Sequence, residues 1–287
     1  MKTVAFVTYH KAPNLTADDA LALVPLKQFD IAAIPTIWDD PQVDWKTFDA
    51  VIMRSCWDYH FKTRDFRRWI DHLEELKITV WNPVEILRWN MNKSYLRELT
   101  AKGVAIPPTA WIEAGSSANL RALLSANGFE QAVIKPTISA TAYQTCRTSL
   151  STAQQDQSKL DAILHASGAM VQQFVDAVTS NGEWSFLFFG GKFSHAVLKR
   201  PRDGDFRVQA DFGGTSRRLE PAPALIEQAE AIVNLIDQPL LYARVDGFDL
   251  GGKFVLLELE LLEPALFLEM AESAPNRLAA TLASVVC

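Results

Sequence analysis

Residues 254–264 read FVLLELELLEP, and no other stretch restricts the fold as much. Its apolar density demands burial, yet it carries Glu258 and Glu260 two positions apart. Side chains alternate across a strand, so the two carboxylates project from one face while the leucines between them enter a core. Asp246 lies upstream in YARVDG, and Gly251-Gly252 suits the tight turn of a hairpin between the two runs. A sheet with one apolar and one acidic face follows. An amphipathic strand with a wetted face satisfies this pattern, and so does a strand whose acidic face borders a cavity for cations.

The rest of the chain is composed to bury such a sheet. Of 287 residues, 48% are hydrophobic and 22% charged, enough for a substantial core in two or three subdomains. A formal charge of -6 with scattered basic residues lacks the footprint of a nucleic-acid binder. The first ten residues have no signal-peptide h-region, and no segment reaches the ~20 apolar residues that cross a bilayer. Cys56, Cys146 and Cys287 are odd in number and far apart, which argues against a disulfide framework or a zinc cluster. The cytoplasm is the expected location.

Strand-like runs at 3–9, 31–37, 49–53 and 78–81 alternate with helix-like runs at 16–29 and 63–77, the rhythm of a parallel α/β sheet. Thr63 is a plausible helix N-cap, and Phe66, Trp69, Ile70, Leu73 and Leu76 form an inward stripe. A helix at 92–102 ends at Gly103. Beyond Pro107-Pro108, segments 110–112, 120–126, 132–135, 153–165 and 169–175 suggest a small α/β unit. Two hairpins follow, 184–199 around Gly190-Gly191 and 240–261 around Gly251-Gly252. A polar loop at 202–214 and a helix at 222–236 separate them. An apolar helix at 278–286 is expected to pack on the core or on a second subunit, leaving a homodimer open.

Phosphoryl transfer needs cations against phosphates, carboxylates to hold metal ions, and exclusion of water. Lys135 emerges where the apolar run 132–134 meets Pro136. Lys93 opens a helix, where its charge is mismatched to the positive end of the dipole. No Walker motif occurs. The apolar run at 170–175 offers backbone groups to a purine, with Asp176 or Glu183 as an acid for ribose hydroxyls. His195, in an apolar hairpin strand, reads as structural.

The order NKSYL, VIKP, VQQFV, NGEWSF, KRPRDGDFRVQ followed by Gly213-Gly214, RVDG and LELELLEP resembles the ATP-grasp superfamily in its glutathione synthetase-like branch. The RSxWDY pattern at 54–59 and the late ExExxEP pattern are similar to the D-cycloserine synthetase-like ATP-grasp ligases. The resemblance spans roughly residues 80–270 and implies an α/β ATP-grasp fold. An N-terminal parallel-sheet domain (1–88) would precede two α+β subdomains (89–175 and 176–287) that clamp ATP. It further implies that Lys93 and Lys135 contact phosphates, that Gln173, Phe174 and Val175 line the adenine, and that Glu183 binds ribose. Asp246, Glu258 and Glu260 would ligate Mg2+, with Asp249 as a competing aspartate; magnesium suits an all-oxygen ligand set. Arg207 and Lys199 would act at the γ phosphate or the acyl phosphate. The implied reaction activates a small, amino-acid-like carboxylate for attack by an amine or related nitrogen, possible within one molecule, and releases ADP and phosphate.

One departure bears on turnover. The loop after Lys135 reads PTISATAYQT, without the glycines that let backbone amides approach phosphates. A non-catalytic or regulatory ATP-binding protein on the same scaffold is therefore the alternative. Arg54, Ser55, Trp57, Asp58 and Tyr59 follow a strand at the carboxyl edge of a parallel sheet, where open α/β folds bind ligands. They and Glu263 are expected to face the acceptor, with Arg54 on a carboxylate and Asp58 on an amino group. A loop packed by Trp57 and Tyr59, with Arg54 paired to Asp58, satisfies the same residues.

Overall fold

The computed structural model describes residues 1–286; Cys287 lies outside them. Three sheets follow one another along the chain. The first is built from β1 (Lys2–Thr8), α1 (Ala17–Ala20), α2 (Leu23–Lys27), β2 (Ile31–Ile37), β3 (Ala50–Met53), α3 (Thr63–Glu75) and β4 (Thr79–Trp81). Its strands are parallel in the order β2-β1-β3-β4. The pleat of β1 sorts its side chains between two cores, Val4 and Phe6 on one face and Ala5 and Val7 on the other. The second face meets Phe66, Trp69, Ile70 and Leu73 of α3, the stripe expected from their spacing.

Two details at this end differ from the sequence expectation. The run 16–29 forms two short helices, with Thr16 capping the first by accepting from the Asp19 amide at 3.1 Å. Thr63 is the first residue inside α3 and its hydroxyl donates to the His60 carbonyl, so it is not the cap.

Next come α4 (Val84–Asn90), which the sequence reading did not anticipate, and α5 (Tyr95–Ala101). The second sheet comprises β5 (Thr109–Ile112), α6 (Leu120–Asn127), β6 (Gln131–Pro136), β7 (Cys146–Ser149), α7 (Ala153–Ala166) and β8 (Ala169–Gln173). It is antiparallel in the order β5-β8-β6-β7. The third part holds α8 (Ala177–Ser180), β9 (Glu183–Phe189), β10 (Lys192–Arg200), β11 (Thr215–Arg218), α9 (Pro223–Val233), β12 (Tyr242–Leu250), β13 (Lys253–Glu260) and α10 (Ala274–Val286). Its antiparallel order is β11-β10-β9-β12-β13.

α10 packs on the structure's own core. Leu278, Ala279, Leu282 and Ala283 join Val4, Phe6, Leu26 and Ile31 in one cluster. The open edge of β13 is sealed by side chains and by the Ala105 carbonyl, which accepts from the Leu256 amide at 2.8 Å, rather than by another strand. Asn90 donates to the Leu259 carbonyl and accepts from the Leu261 amide, and the Tyr95 hydroxyl accepts from the Leu259 amide. Cys56 and Cys146 are free thiols. Among the described residues no helix is long and apolar enough to cross a membrane.

Candidate active site

A cavity of about 400 Å³ opens where the three sheets meet. The acidic strand supplies its floor. Asp246 of β12 is registered against Glu258 of β13, and Arg244 against Glu260, so all four side chains share the face that borders the cavity. Directly after Asp246 the register shifts by one residue. At that bulge a Cβ on Gly247 would lie 2.3 Å from the Val255 carbonyl oxygen. Glycine is therefore required where the two strands close up behind the acidic pair.

Ion pairs balance the charges on this floor. Lys199 of β10 reaches Glu183 at 2.6 Å and Asp246 at 3.3 Å. Arg244 bonds Asp246 at 3.0 Å and also bonds Glu260. Lys93 contacts Glu258 at 3.0 Å and donates to the Ser139 carbonyl at 2.8 Å. Asp246 also accepts from the Ser185 hydroxyl at 2.6 Å. Burial alone would raise the Asp246 carboxyl; Arg244 and Lys199 outweigh it and hold the group below its ordinary value. Burial works against Lys199, but Asp246 and Glu183 keep its ammonium charged.

Two groups stand outside this balance. Lys135, half-buried at the end of β6, lines the cavity and makes no ion pair among the described residues. Burial pulls its pKa down, partly restored by Glu258. Glu263 is 9% exposed, also lines the cavity, and likewise forms no ion pair among the described residues. Burial pushes its carboxyl up to about 7.

The structure brings most of the expected residues to one place. Lys93, Lys135, Gln173, Phe174, Val175, Glu183, Lys199, Arg207, Asp246, Glu258, Glu260, Trp57, Tyr59 and Glu263 all border this cavity. Phe174 is held between the Arg147 guanidinium, 3.8 Å from its ring centre, and Phe206, whose ring meets it edge-on at 6.2 Å. Arg207 pairs with Asp205 at 2.8 Å and stacks on Phe212 at 3.7 Å.

Three residues assigned to the acceptor are engaged elsewhere. Arg54 is 1% exposed; its Nε and Nη2 both donate to Asp19, at 3.0 and 2.7 Å, and it stacks on Tyr242. The Ser55 hydroxyl donates to the same aspartate at 2.7 Å. Asp58 accepts from the Trp38 indole and from Lys62, not from Arg54. A buried guanidinium requires a carboxylate at hand, and α1 supplies it. Asp249 accepts from the Gly252 amide in the β12–β13 turn at 2.6 Å, which assigns it to the turn.

The three proposed metal ligands share a face, yet among the described residues no group of three or more carboxylates, histidines or cysteines is close enough to hold a metal ion. Asp246 is already committed to Ser185, Lys199 and Arg244. Glu258 and Glu260, each with one cationic partner, are the side chains with oxygens available. His195 is structural: its Nε2 donates to the Leu266 and Phe267 carbonyls, both at 3.1 Å.

Sequence reasoning missed Arg244. Its signal was its place two residues before Asp246, which in a strand means the same face. It also missed a rail of backbone after β13. From Leu261 to Phe267 every carbonyl accepts from a side chain: Asn82, Tyr242, Trp57, Arg54, Arg244 and then His195 twice. This rail carries Glu263, Ala265 and Phe267 into the cavity wall.

The glycine-free loop makes its left-handed turns without glycine. Thr141, Ala142 and Gln144 have φ of 50°, 55° and 53°. Ser139, Ala140, Thr141, Ala142 and Thr145 border the cavity. Tyr143 packs against His60 and Phe61, with ring centres 5.2 and 4.9 Å away.

Residues 4–82 match the family model described as D-cycloserine synthetase DcsG, N-terminal domain. The cycloserine biosynthesis protein DcsG of Streptomyces lavendulae is 33% identical over 301 residues, covering 99% of this chain and 98% of that protein. The chain belongs to the DcsG family of ATP-grasp ligases. The crystal structure of D-cycloserine synthetase DcsG superposes on this DcsG-family chain with a TM-score of 0.89 at 28% identity, over 99% of this chain and 100% of that one. The D-alanine–D-alanine ligase of Bacillus anthracis shares the fold, with a TM-score of 0.72 at 15% identity over 100% and 97% of the two chains. This member of the DcsG family is thus an ATP-dependent carboxylate–amine ligase.

Proposed function

We propose that the enzyme closes or joins an amide-type bond on a small amino-acid-like carboxylate, in the manner of a cycloserine synthetase. The observation that carries this reading is the Lys135 ammonium, without an ion pair among the described residues, at the cavity bordered by Glu258 and Glu260. A desolvated cation without a carboxylate partner is poised for an anion, and a triphosphate fits.

Lys135 and Lys93 would neutralise the phosphates. The backbone at Gln173, Phe174 and Val175, with the Phe174 ring fixed by Arg147 and Phe206, would receive the purine. Glu183, one oxygen tied to Lys199, would offer the other to a ribose hydroxyl. Glu258 and Glu260 fit a magnesium ion that takes its remaining ligands from phosphate oxygens and water, the usual protein share for that ion; when bound it neutralises charge on the transferring phosphoryl group. Asp246 serves by holding Arg244 and Lys199 in place.

A substrate carboxylate oxygen attacks the γ phosphorus and ADP departs. A nitrogen then attacks the acyl carbon of the acyl phosphate, phosphate leaves, and the nitrogen gives up one proton. Arg244 and Arg207 face the oxygens on which charge grows. Their contribution is electrostatic and positional, with no covalent enzyme intermediate. The free thiol at Cys56, fully buried, suits a reducing cytoplasm, where ATP is available.

Calorimetry with ATP, with and without magnesium, followed by ADP release in the presence of D-amino acids and their hydroxylamine-type derivatives, tests this directly. Glu258→Gln should bind ATP but cut magnesium-dependent ADP formation by at least about 100-fold. Undiminished ADP formation in that variant would remove the metal assignment.

A further inference from the structure

The cations of the cavity floor are already matched. Lys93 holds Glu258, Lys199 holds Glu183 and Asp246, and Arg244 holds Asp246 and Glu260. Glu263 has no such partner among the described residues. The cation that acts on it most strongly is Lys93, whose ammonium is held by Glu258 and the Ser139 carbonyl. The rail pins the main chain that carries Glu263: Trp57 donates to its own carbonyl at 3.0 Å, and Arg54 donates to that of Pro264 at 2.8 Å. The result is a buried carboxyl group, carried by an anchored main chain, on the wall that also presents Trp57 and Tyr59. A buried carboxylate without a counter-ion is costly, and a ligand that supplies the positive charge regains that energy.

We propose that Glu263 receives an ammonium group of the acceptor, so that this ligase selects amino acids and their cyclised products over plain carboxylates. The assignment rests on the ligase reading above. It gives to Glu263 the amine recognition expected of Asp58, which is instead bonded to Trp38 and Lys62. It also fits closure of a ring within one substrate. The α-ammonium stays charged on Glu263 and out of the reaction, while a second nitrogen attacks the acyl phosphate.

The test compares two probes that differ only in that amine: D-cycloserine and its des-amino analogue isoxazolidin-3-one. Each is titrated at pH 7, with ADP and magnesium present, into the wild type, Glu263→Gln and Glu263→Asp; ATP is titrated separately into all three. The wild type should prefer D-cycloserine by about ten-fold or more, the discrimination expected of one charge-assisted hydrogen bond. Glu263→Gln should lose that preference with ATP affinity unchanged, and Glu263→Asp should retain part of it. A preference that survives in Glu263→Gln, or one that is absent from a wild type that binds ATP, overturns the assignment. A wild type that fails to bind ATP overturns the ligase reading itself.

Discussion

At the residue scale, the cavity separates groups that support the fold from groups that await a ligand. Lys135 belongs to the second kind, and burial already depresses its pKa. Lys135→Met should therefore weaken ATP binding by about ten-fold or more while leaving the melting temperature unchanged or slightly raised. Calorimetry and thermal unfolding of the same preparation check both halves. Gly247 belongs to the first kind. With only 2.3 Å between an ideal Cβ and the Val255 carbonyl, Gly247→Ala should destabilise by roughly 2 kcal/mol or more, read from urea midpoints. The shared face of Asp246, Glu258 and Glu260 was legible in the sequence because their strands are strongly patterned. Arg54 was not: its partner Asp19 is 35 positions away, and nothing local tells a guanidinium bound to a carboxylate in the core from one offered to a substrate.

At the element scale, the loop 137–145 shows how a phosphate-facing turn can be formed without glycine. Left-handed conformations at Thr141, Ala142 and Gln144 each cost on the order of 1 kcal/mol relative to glycine. The loop is held by Lys93, which binds the Thr137 and Ser139 carbonyls through its amide and its ammonium, and by the Tyr143 ring on His60 and Phe61. Tyr143→Ala should loosen it, raising KM for ATP several-fold and exposing it to proteolysis. Tyr143→Phe should behave as the wild type, because the contact is made by the ring. Equal protection of the loop in both variants would show that Tyr143 does not anchor it. The strands that escaped the sequence reading are β7 and β11, CRTS and TSRR, which lie at sheet edges and show no apolar alternation to mark them. The rail at 261–267 escaped for a related reason, since its hydrogen bonds come from side chains far away in sequence.

At the scale of the whole molecule, His195 ties the third sheet to the rail and gives stability a pH dependence. Burial lowers its pKa to about 4, against about 6.5 in an unfolded chain. Between these values the unfolded state binds the extra proton, so this contribution is complete above pH 6.5 and is lost as pH falls toward 4, by up to roughly 3 kcal/mol. Urea unfolding of the wild type and His195→Gln across that window should converge as the pH drops, and a constant gap would show that His195 stays neutral in both states. The parallel first sheet was legible from the alternation of runs before Pro107-Pro108, and the antiparallel third sheet from its two glycine-centred hairpins; the antiparallel pairing of the second sheet was not. The path of the chain's last helix was not.

That helix has a practical consequence. Because α10 shares one core with β1, α2 and β2, the start and finish of the polypeptide are mutually dependent. A recombinant fragment holding only the first sheet would leave Val4, Phe6, Leu26 and Ile31 uncovered and prone to self-association. Grafting this amino-terminal module onto another ligase would require transplanting the final turns along with it.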